Sequence, residues 1–192
     1  MKIAFFITSL FMFFGVFNKS HADILIEPVI GYSNGEFKTQ TKDDSSYTVS
    51  ESNDSLHGFT YGGRLGLQIL ALQFGLDYLG GFLSIDGEKK KINEVGAFVG
   101  YKFPAFMRIY AGYVPFANAE GEDYTVGTIT GGGYKIGLGF SLLPPLNLNI
   151  EWRSIKNLYH SDSVFIDDYG TYQTIEAHYS ALMIALSIPI TF

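Results

Sequence analysis

The chain has no cysteine, which excludes a disulfide framework and thiolate metal sites. After residue 22 it also has no continuous apolar run long enough for a membrane helix, so any membrane span must be built from strands. It contains no HExxH motif, no cluster of metal ligands and no glycine loop of the phosphate-binding type. We therefore expect neither a metal nor a cofactor.

The first residues are typical of a secretory signal peptide. Met1 and Lys2 form a short basic start, residues 3–17 are strongly apolar, and Ser20-His21-Ala22 places small residues where a signal peptidase reads. Because the apolar run is too short for a membrane helix and no stop-transfer flank follows it, we predict cleavage after Ala22. The predicted organisation is a signal peptide over residues 1–22 and one domain over residues 23–192.

The predicted mature chain is acidic. The formal net charge of the whole sequence is −6, and removal of Lys2 and Lys19 with the signal makes it −8. An acidic chain argues against nucleic-acid binding. About 170 residues without a proline- or serine-rich linker indicate a single domain.

Eight runs in which apolar residues alternate with small or polar ones follow the signal. They cover about residues 24–34, 56–69, 72–83, 92–103, 107–116, 131–143, 146–156 and 174–192. A period of two predicts β-strands, and each run has about the length of a tilted strand that crosses a bilayer. Tight connections at 70–71, 104–106 and 143–145 alternate with longer polar ones at 34–55, 84–91, 117–130 and 157–173. This asymmetry is typical of outer-membrane barrels, and it predicts periplasmic termini and long extracellular loops.

Alternation alone does not decide whether the apolar face contacts lipid or lies inside the barrel, because a soluble barrel of the lipocalin type would bury the apolar face. Three features favour the membrane. Glycine recurs on the polar face, as a narrow interior requires; aromatic residues lie near the ends of the apolar stripes; and the charges on the polar face nearly balance. We therefore predict an ion-pair network inside a barrel. Its predicted members are Glu27, Arg64, Asp77, Glu94, Lys102, Arg108, Lys135, Glu151 and Arg153. Within it we predict one group of Arg64, Asp77 and Glu27 and another of Lys102, Glu151 and Arg153.

The segment from Leu182 to Phe192 has one apolar face and one face of mostly small residues, and it ends on a phenylalanine. Together with the signal and the segments ILIEPVIGYS, YGGRLGLQ, GGYKIGLGF and SIPITF, it makes residues 23–192 resemble the small OmpA/OmpX-type outer-membrane β-barrel family. The resemblance implies an all-β fold, an eight-stranded antiparallel up-and-down transmembrane barrel. It also implies a monomer in a Gram-negative outer membrane, with outer-membrane lipids and lipopolysaccharide as partners. Phe192 is then the terminal signal for the barrel-assembly machinery.

The resemblance does not select one function, because the family includes anchors, adhesins, resistance factors and lipid enzymes. Our leading hypothesis is a structural or surface-interaction role through the extracellular loops, without enzyme activity. A narrow passive channel is an alternative, although side chains fill the interior of an eight-stranded barrel.

A lipid A-modifying enzyme is the further alternative. Residues 159–163 contain His160, Ser161 and Asp162, but the deacylase pattern separates its histidine and serine by one residue. We interpret this segment as a polar loop. His178, beside Glu176, is interpreted as a girdle or rim histidine, and His57 lies at the top of the second predicted strand with no evident partner in the sequence.

The long loops are the expected working surface. Their acidic residues are Asp43, Asp44, Glu51, Asp54, Glu120, Glu122, Asp123, Asp162, Asp167 and Asp168. These side chains suit either solubility or contact with a divalent cation, although their spacing matches no EF-hand. Lys89-Lys90-Lys91 is interpreted either as a charged hairpin tip or as a contact for lipopolysaccharide phosphates.

Overall fold

The computed structural model describes residues 22–43, 49–104, 106–121, 129–160, 165–166 and 172–192. Within these ranges the chain forms strands and no helix. The strands are β1 (Ala22–Asp43), β2 (Val49–Ile69), β3 (Leu72–Ile85), β4 (Glu88–Lys102), β5 (Met107–Gly121), β6 (Ile129–Leu143), β7 (Leu146–His160), β8 (Phe165–Ile166), β9 (Tyr172–Ser187) and β10 (Ile190–Thr191). Among the described residues, none lies in a helix that could cross a membrane.

Antiparallel pairing closes the sheet into a barrel. Each of the strands β1 to β6 pairs with the next one along the chain, and β9 pairs with both β7 and β1. The β1–β9 contact runs from Val29↔Ser187 to Asp43↔Gln173. β10 pairs with the start of β1 and continues the line of β9, whereas β8 pairs only with β9. The predicted eight-stranded antiparallel barrel is therefore confirmed.

The strands extend further than predicted at the end of the barrel opposite the tight turns. β1 and β2 remain paired as far as Lys42↔Val49, in a region expected to be a loop. Backbone groups of a hairpin satisfy each other whatever the polarity of the side chains, so polar composition does not end a strand. The alternation persists as well, since Phe37 faces the interior while Lys38 is exposed.

Two predicted boundaries need correction. The expected loop at 84–91 is a two-residue turn, because Asp86 and Gly87 both adopt positive φ, at 49° and 83°. Asp-Gly is the preferred pair for such a turn between antiparallel strands. The predicted last strand is interrupted after Ser187, since Pro189 has no N–H to donate. The backbone of Phe192 nevertheless exchanges two hydrogen bonds with Ile24, at 3.1 and 3.2 Å.

Candidate functional site

The outer wall of the barrel carries large exposed apolar side chains. Ile30, Leu65, Leu76 and Ile184 lie on four different strands, and each is more than half exposed (60%, 59%, 61% and 54%). Exposed apolar side chains continue around the wall, whereas soluble monomers rarely expose such a continuous surface. Only hydrocarbon is a favourable solvent for it, so the barrel spans a membrane and the lipocalin-type alternative is excluded.

Aromatic residues mark the upper edge of this apolar belt, on the side of the long hairpins. They include Tyr32, Phe59, Phe82, Tyr113, Phe116, Tyr134 and Trp152, all exposed. Tyr32 and Phe59 meet edge to face with ring centroids 5.3 Å apart, and Tyr134 lies 5.7 Å from Trp152. Amphipathic rings collect where a bilayer meets its headgroups, so this edge locates one membrane interface.

Among the described residues, four carboxylates and four cations lie in the interior of the barrel. All are at most 8% exposed. They are Glu27, Asp77, Glu94, Glu151, Arg64, Arg108, Lys135 and Arg153. Their formal charges cancel, which a dry interior requires, because an unpaired ion in a low dielectric is very costly.

Glu27 is the centre of the first interior cluster. Its carboxylate accepts hydrogen bonds from Arg108 (Nη1 to Oε2, 2.7 Å) and from the Ser187 hydroxyl (2.5 Å). Arg64 approaches the same Oε2 atom at 3.5 Å. Asn149 completes the cluster, because its Oδ1 accepts from Arg108 Nη2 at 2.6 Å and its Nδ2 donates to Ser187 at 2.8 Å. Every member is buried, so the cluster links five strands, β1, β2, β5, β7 and β9, through charge-assisted bonds.

Glu151 is the centre of the second cluster. It accepts from Arg64 Nη2 at 2.8 Å, so Arg64 joins the two clusters. Arg153 forms ion pairs with both Glu151 and Glu94. The Arg64 guanidinium also lies 4.3 Å from the centroid of the Tyr110 ring, a cation–π distance.

The third interior group is an ion pair between Lys135 and Asp77. The sequence predicts instead that Asp77 groups with Arg64 and Glu27, and Arg64 and Asp77 are indeed partners in strand register. The Asp77 carboxylate lies over Gly96, where a Cβ would come within 2.4 Å of its Oδ1. A glycine on the neighbouring strand thus makes room for the Asp77 side chain.

Lys102 differs from the other predicted members, because it is exposed. Its position in the alternation is that of an inward residue, but it is the last residue of β4. At the rim of the barrel its side chain reaches solvent, so the predicted group of Lys102 with Glu151 and Arg153 does not form. Arg108 is also near a strand end, yet its long side chain reaches Glu27, and Gly139 leaves room beside it.

Sequence reasoning assigned no role to Tyr110, Asn149 and Ser187. The alternation of the sequence places all three on the inner face, and this position could have identified them as interior residues. For Tyr110 the signal is stronger, because its register partner is Gly137, where a Cβ would meet the Tyr110 ring at 2.3 Å. An aromatic residue opposite a glycine on a polar face indicates a ring lying across the interior.

An apolar layer fills the barrel on the long-hairpin side of the charges. Its largest members are Phe37, Leu56, Leu79, Leu83, Ile85, Ile92, Ile155, Tyr179 and Met183, all at most 7% exposed. At the opposite mouth, a cavity of about 50 Å³ is lined by Gln68, Gln73, Arg108 and Asn147 among others. This space holds only a few water molecules. Charged and apolar side chains therefore occupy successive levels of the interior.

The histidines singled out in the sequence lie on three different strands, β2, β7 and β9. His178 Nδ1 lies 2.8 Å from the carbonyl oxygen of Ile155, and His57 is exposed on β2. The backbone of His160 ends β7, whereas Ser161 and Asp162 lie outside the described residues. In the part of the chain that the structure describes, no group of three or more histidine and acidic residues could hold a metal.

The predicted loop residues are described only in part. Asp44, Glu122, Asp123, Asp167 and Asp168 lie outside the described residues, as does the predicted signal peptide before Ala22. Lys89 and Lys91 are exposed on the outer face of β4, whereas Lys90 Nζ lies 3.5 Å from Glu88. The predicted basic cluster is therefore divided between two faces of the strand.

No protein-family model and no curated protein matches the chain. In fold the chain is similar to small eight-stranded outer-membrane barrels. Neisserial surface protein A is 13% identical, with a TM-score of 0.47, over 88% of this chain and 98% of that one. The outer membrane protein OprG from Pseudomonas aeruginosa is 12% identical, with a TM-score of 0.47, over 89% and 97%. Ail, the attachment invasion locus protein of Yersinia pestis, is 12% identical, with a TM-score of 0.43, over 85% and 99%.

Proposed function

We propose that the chain is an integral outer-membrane barrel protein with a closed interior, which acts through the surface of its long hairpins. The filled interior supports this role most directly. The ionic clusters and the apolar layer follow one another along the barrel axis, and the side chains of both are buried. A structural or surface-interaction role therefore fits better than a narrow passive channel.

The two ends of the barrel differ, and this difference supports an orientation. β2 and β3 are joined by a two-residue turn after Ile69, whereas β1 and β2 extend as a paired hairpin to Lys42↔Val49. Outer-membrane barrels have short periplasmic turns and long extracellular loops. The proposed orientation places the long hairpins outside the cell, and Ala22 and Phe192 on the periplasmic side.

Planar-bilayer recording of the refolded protein tests the closed interior. We expect no channel currents across the bilayer. The mobility difference between boiled and unboiled samples in SDS gels verifies that the protein is folded as a barrel. Steady stepwise currents from a correctly inserted sample would replace the proposed role with that of a channel.

We also propose that the chain does not modify lipid A. Incubation of the refolded protein with lipid A, followed by mass analysis, tests this. We expect an unchanged lipid mass. A gained or lost acyl chain that disappears in His160→Ala would contradict the proposal and assign the reaction to the segment at the end of β7.

A further inference from the structure

The mouth of the barrel at the tight-turn end contains a small polar cavity of about 50 Å³. Its lining includes the amides of Gln68, Gln73 and Asn147 and the cations Lys102 and Arg108. None of the described side chains that line it is an acid. We call it the mouth cavity. Amide and cationic donors without a carboxylate suit an anionic ligand.

Lys102 is the cation of the mouth cavity whose charge is not already compensated. Both terminal nitrogens of Arg108 engage Glu27, which lies behind Arg108 in the first interior cluster. Lys102 forms no ion pair with an acid in the described part of the chain. A single uncompensated positive charge suits a ligand with one negative charge, such as a carboxylate, better than a doubly charged sulfate.

The inner end of the mouth cavity has more hydrogen-bond donors than acceptors. Gln73 Nε2 donates to Gln68 Oε1 at 2.8 Å, which occupies the acceptor end of Gln68 and leaves its own Nε2 group as a donor. Arg108 is 3% exposed, and its Nε atom is buried without an acceptor among the described residues. A carboxylate accepts hydrogen bonds through two oxygens, so it matches this excess of donors.

The acid Asp23 lies at the same end of the barrel but outside the lining. It is half-buried and is the register partner of Gln68. Its strand β1 is three strands away from β4, which carries Lys102. Three strand spacings are about 14 Å, more than the screening length of about 8 Å at physiological salt. Asp23 therefore weakens the attraction of the mouth cavity for an anion without neutralising Lys102.

An exposed aromatic side chain adjoins these polar groups. Phe106 lines the mouth cavity together with Met107, and its side chain is 69% exposed. Its φ of 59° is unfavourable for a bulky residue, and the backbone N–H of Ser141 donates to its carbonyl oxygen at 2.7 Å. Backbone strain at an exposed residue is typical of sites that bind a ligand. The ring offers an apolar surface directly beside the polar cavity.

We propose that the mouth cavity binds a carboxylate that has an apolar group beside it. The cavity has room for the carboxylate alone, which would lie between Lys102 and the inner donors, while the apolar group lies against Phe106. A polypeptide C-terminus with an apolar last residue and a free apolar organic acid share this chemistry. The proposed orientation brings the ligand from the periplasm, but binding itself does not depend on that orientation.

An NMR titration of the refolded protein in nanodiscs tests the mouth cavity, with the side-chain amide signals of Gln68, Gln73 and Asn147 as reporters. The probes are N-acetylphenylalanine, its uncharged amide, phenylpropionate and sulfate, at constant ionic strength. The variants are Lys102→Gln and Gln68→Glu. The second keeps the oxygen that accepts from Gln73 but adds an acid to the lining. The matched control is Lys156→Gln, an exposed lysine toward the opposite end of the barrel.

We expect N-acetylphenylalanine to shift these signals until the site is saturated. Lys102→Gln should bind it about fivefold more weakly, the upper end for an exposed ion pair. Gln68→Glu should bind it roughly thirtyfold more weakly or worse, because like charges would face each other. Lys156→Gln should bind like the unmodified protein. Asp23→Asn should bind more tightly, since it removes the acid at this end of the barrel.

Equal affinities of Lys102→Gln and Lys156→Gln, or of the acid and its amide, would overturn the mouth cavity as a carboxylate site. Sulfate binding as tight as that of N-acetylphenylalanine would overturn the choice of a single charge. Phe106→Ala should weaken binding of N-acetylphenylalanine about threefold, and an unchanged affinity would overturn the apolar contact.

The two sources of the carboxylate are separated by the peptide group of the probe. Tighter binding of N-acetylphenylalanine than of phenylpropionate would support a polypeptide terminus as the ligand, and equal binding would support a free organic acid. Channel currents in the planar-bilayer recording would overturn the proposed closed interior and leave these binding results as they are, so the two failures are distinguishable.

Discussion

Substitution of Glu27 by glutamine is expected to destabilise the barrel strongly. Glu27 is fully buried and accepts hydrogen bonds from Arg108 and Ser187, with Arg64 at 3.5 Å. Glutamine keeps one acceptor oxygen but removes the negative charge, so the interior would contain one uncompensated cation. Removal of one partner of a buried ion pair costs about 3–5 kcal/mol. Because glutamine still accepts a hydrogen bond, we expect the lower end, about 3 kcal/mol.

Urea unfolding of the protein in lipid vesicles measures this loss. Trp152 is the one tryptophan of the chain and lies on the outer wall, so its fluorescence reports the loss of the barrel. With a denaturant slope of about 2 kcal/mol per molar urea, the midpoint should fall by about 1.5 M. Glu36→Gln is the matched control, since Glu36 lies on the same strand with an exposed side chain. We expect its effect to stay within about 0.5 kcal/mol.

Arg108→Gln and the double variant with Glu27→Gln complete a mutant cycle. The double variant restores a neutral interior, so its loss should be smaller than the sum of the two single losses by about 2 kcal/mol. A Glu27→Gln midpoint shift no larger than that of Glu36→Gln would refute the reasoning. Additive single losses would also refute it, because they would show that the two charges do not interact.

Two further pairs of substitutions test the interior and the wall. Gly137→Ala is expected to lower the free energy of unfolding by about 1–3 kcal/mol, because the added Cβ would meet the Tyr110 ring at 2.3 Å. Gly63→Ala is the control and should be nearly neutral, because its added Cβ would find the nearest atom at an ordinary 3.5 Å. A lower urea midpoint for Gly63→Ala than for Gly137→Ala would contradict this packing. Leu76→Arg on the lipid-facing wall is expected to cost about 2–4 kcal/mol in vesicles, whereas Ser84→Arg, further up the same strand, should cost less than about 1 kcal/mol. Equal midpoints for these two arginine variants would mean that the exposed apolar belt does not face lipid.

The barrel could be predicted from the sequence because its alternation persists through the membrane span. In the final strand, Leu182, Ile184 and Leu186 are exposed to lipid while Met183 and Ala185 face the interior. A period of two assigns all five side chains once one face is known to be lipid-facing. Where the strands leave the membrane this argument no longer applies, since polar residues then suit both strands and loops. The hairpin of β1 and β2 beyond Asn34 was missed for that reason.

The members of the interior network could be predicted, but their partners could not. Alternation places Arg64 and Asp77 on the inner face of two neighbouring strands, where they are register partners. Their proximity therefore predicts an ion pair between them. The long arginine side chain instead reaches Glu27 and Glu151, while Asp77 is paired with Lys135. Partner choice depends on side-chain length and on the space that glycines such as Gly96 leave, and neither is visible in a pattern of period two.

The interior charges contribute more to the selection of one strand register than to net stability. The attraction between the two charges of a buried ion pair little more than offsets the free energy of removing them from water. A barrel with a well-packed apolar interior would therefore be about as stable as this one. A shift of β1 by one residue, however, would turn Glu27 toward lipid and Ile26 toward the remaining charges. That single slip would leave Arg108 without its carboxylate and place an acid in hydrocarbon. An apolar interior would impose no such penalty, because its residues would tolerate either face of the wall.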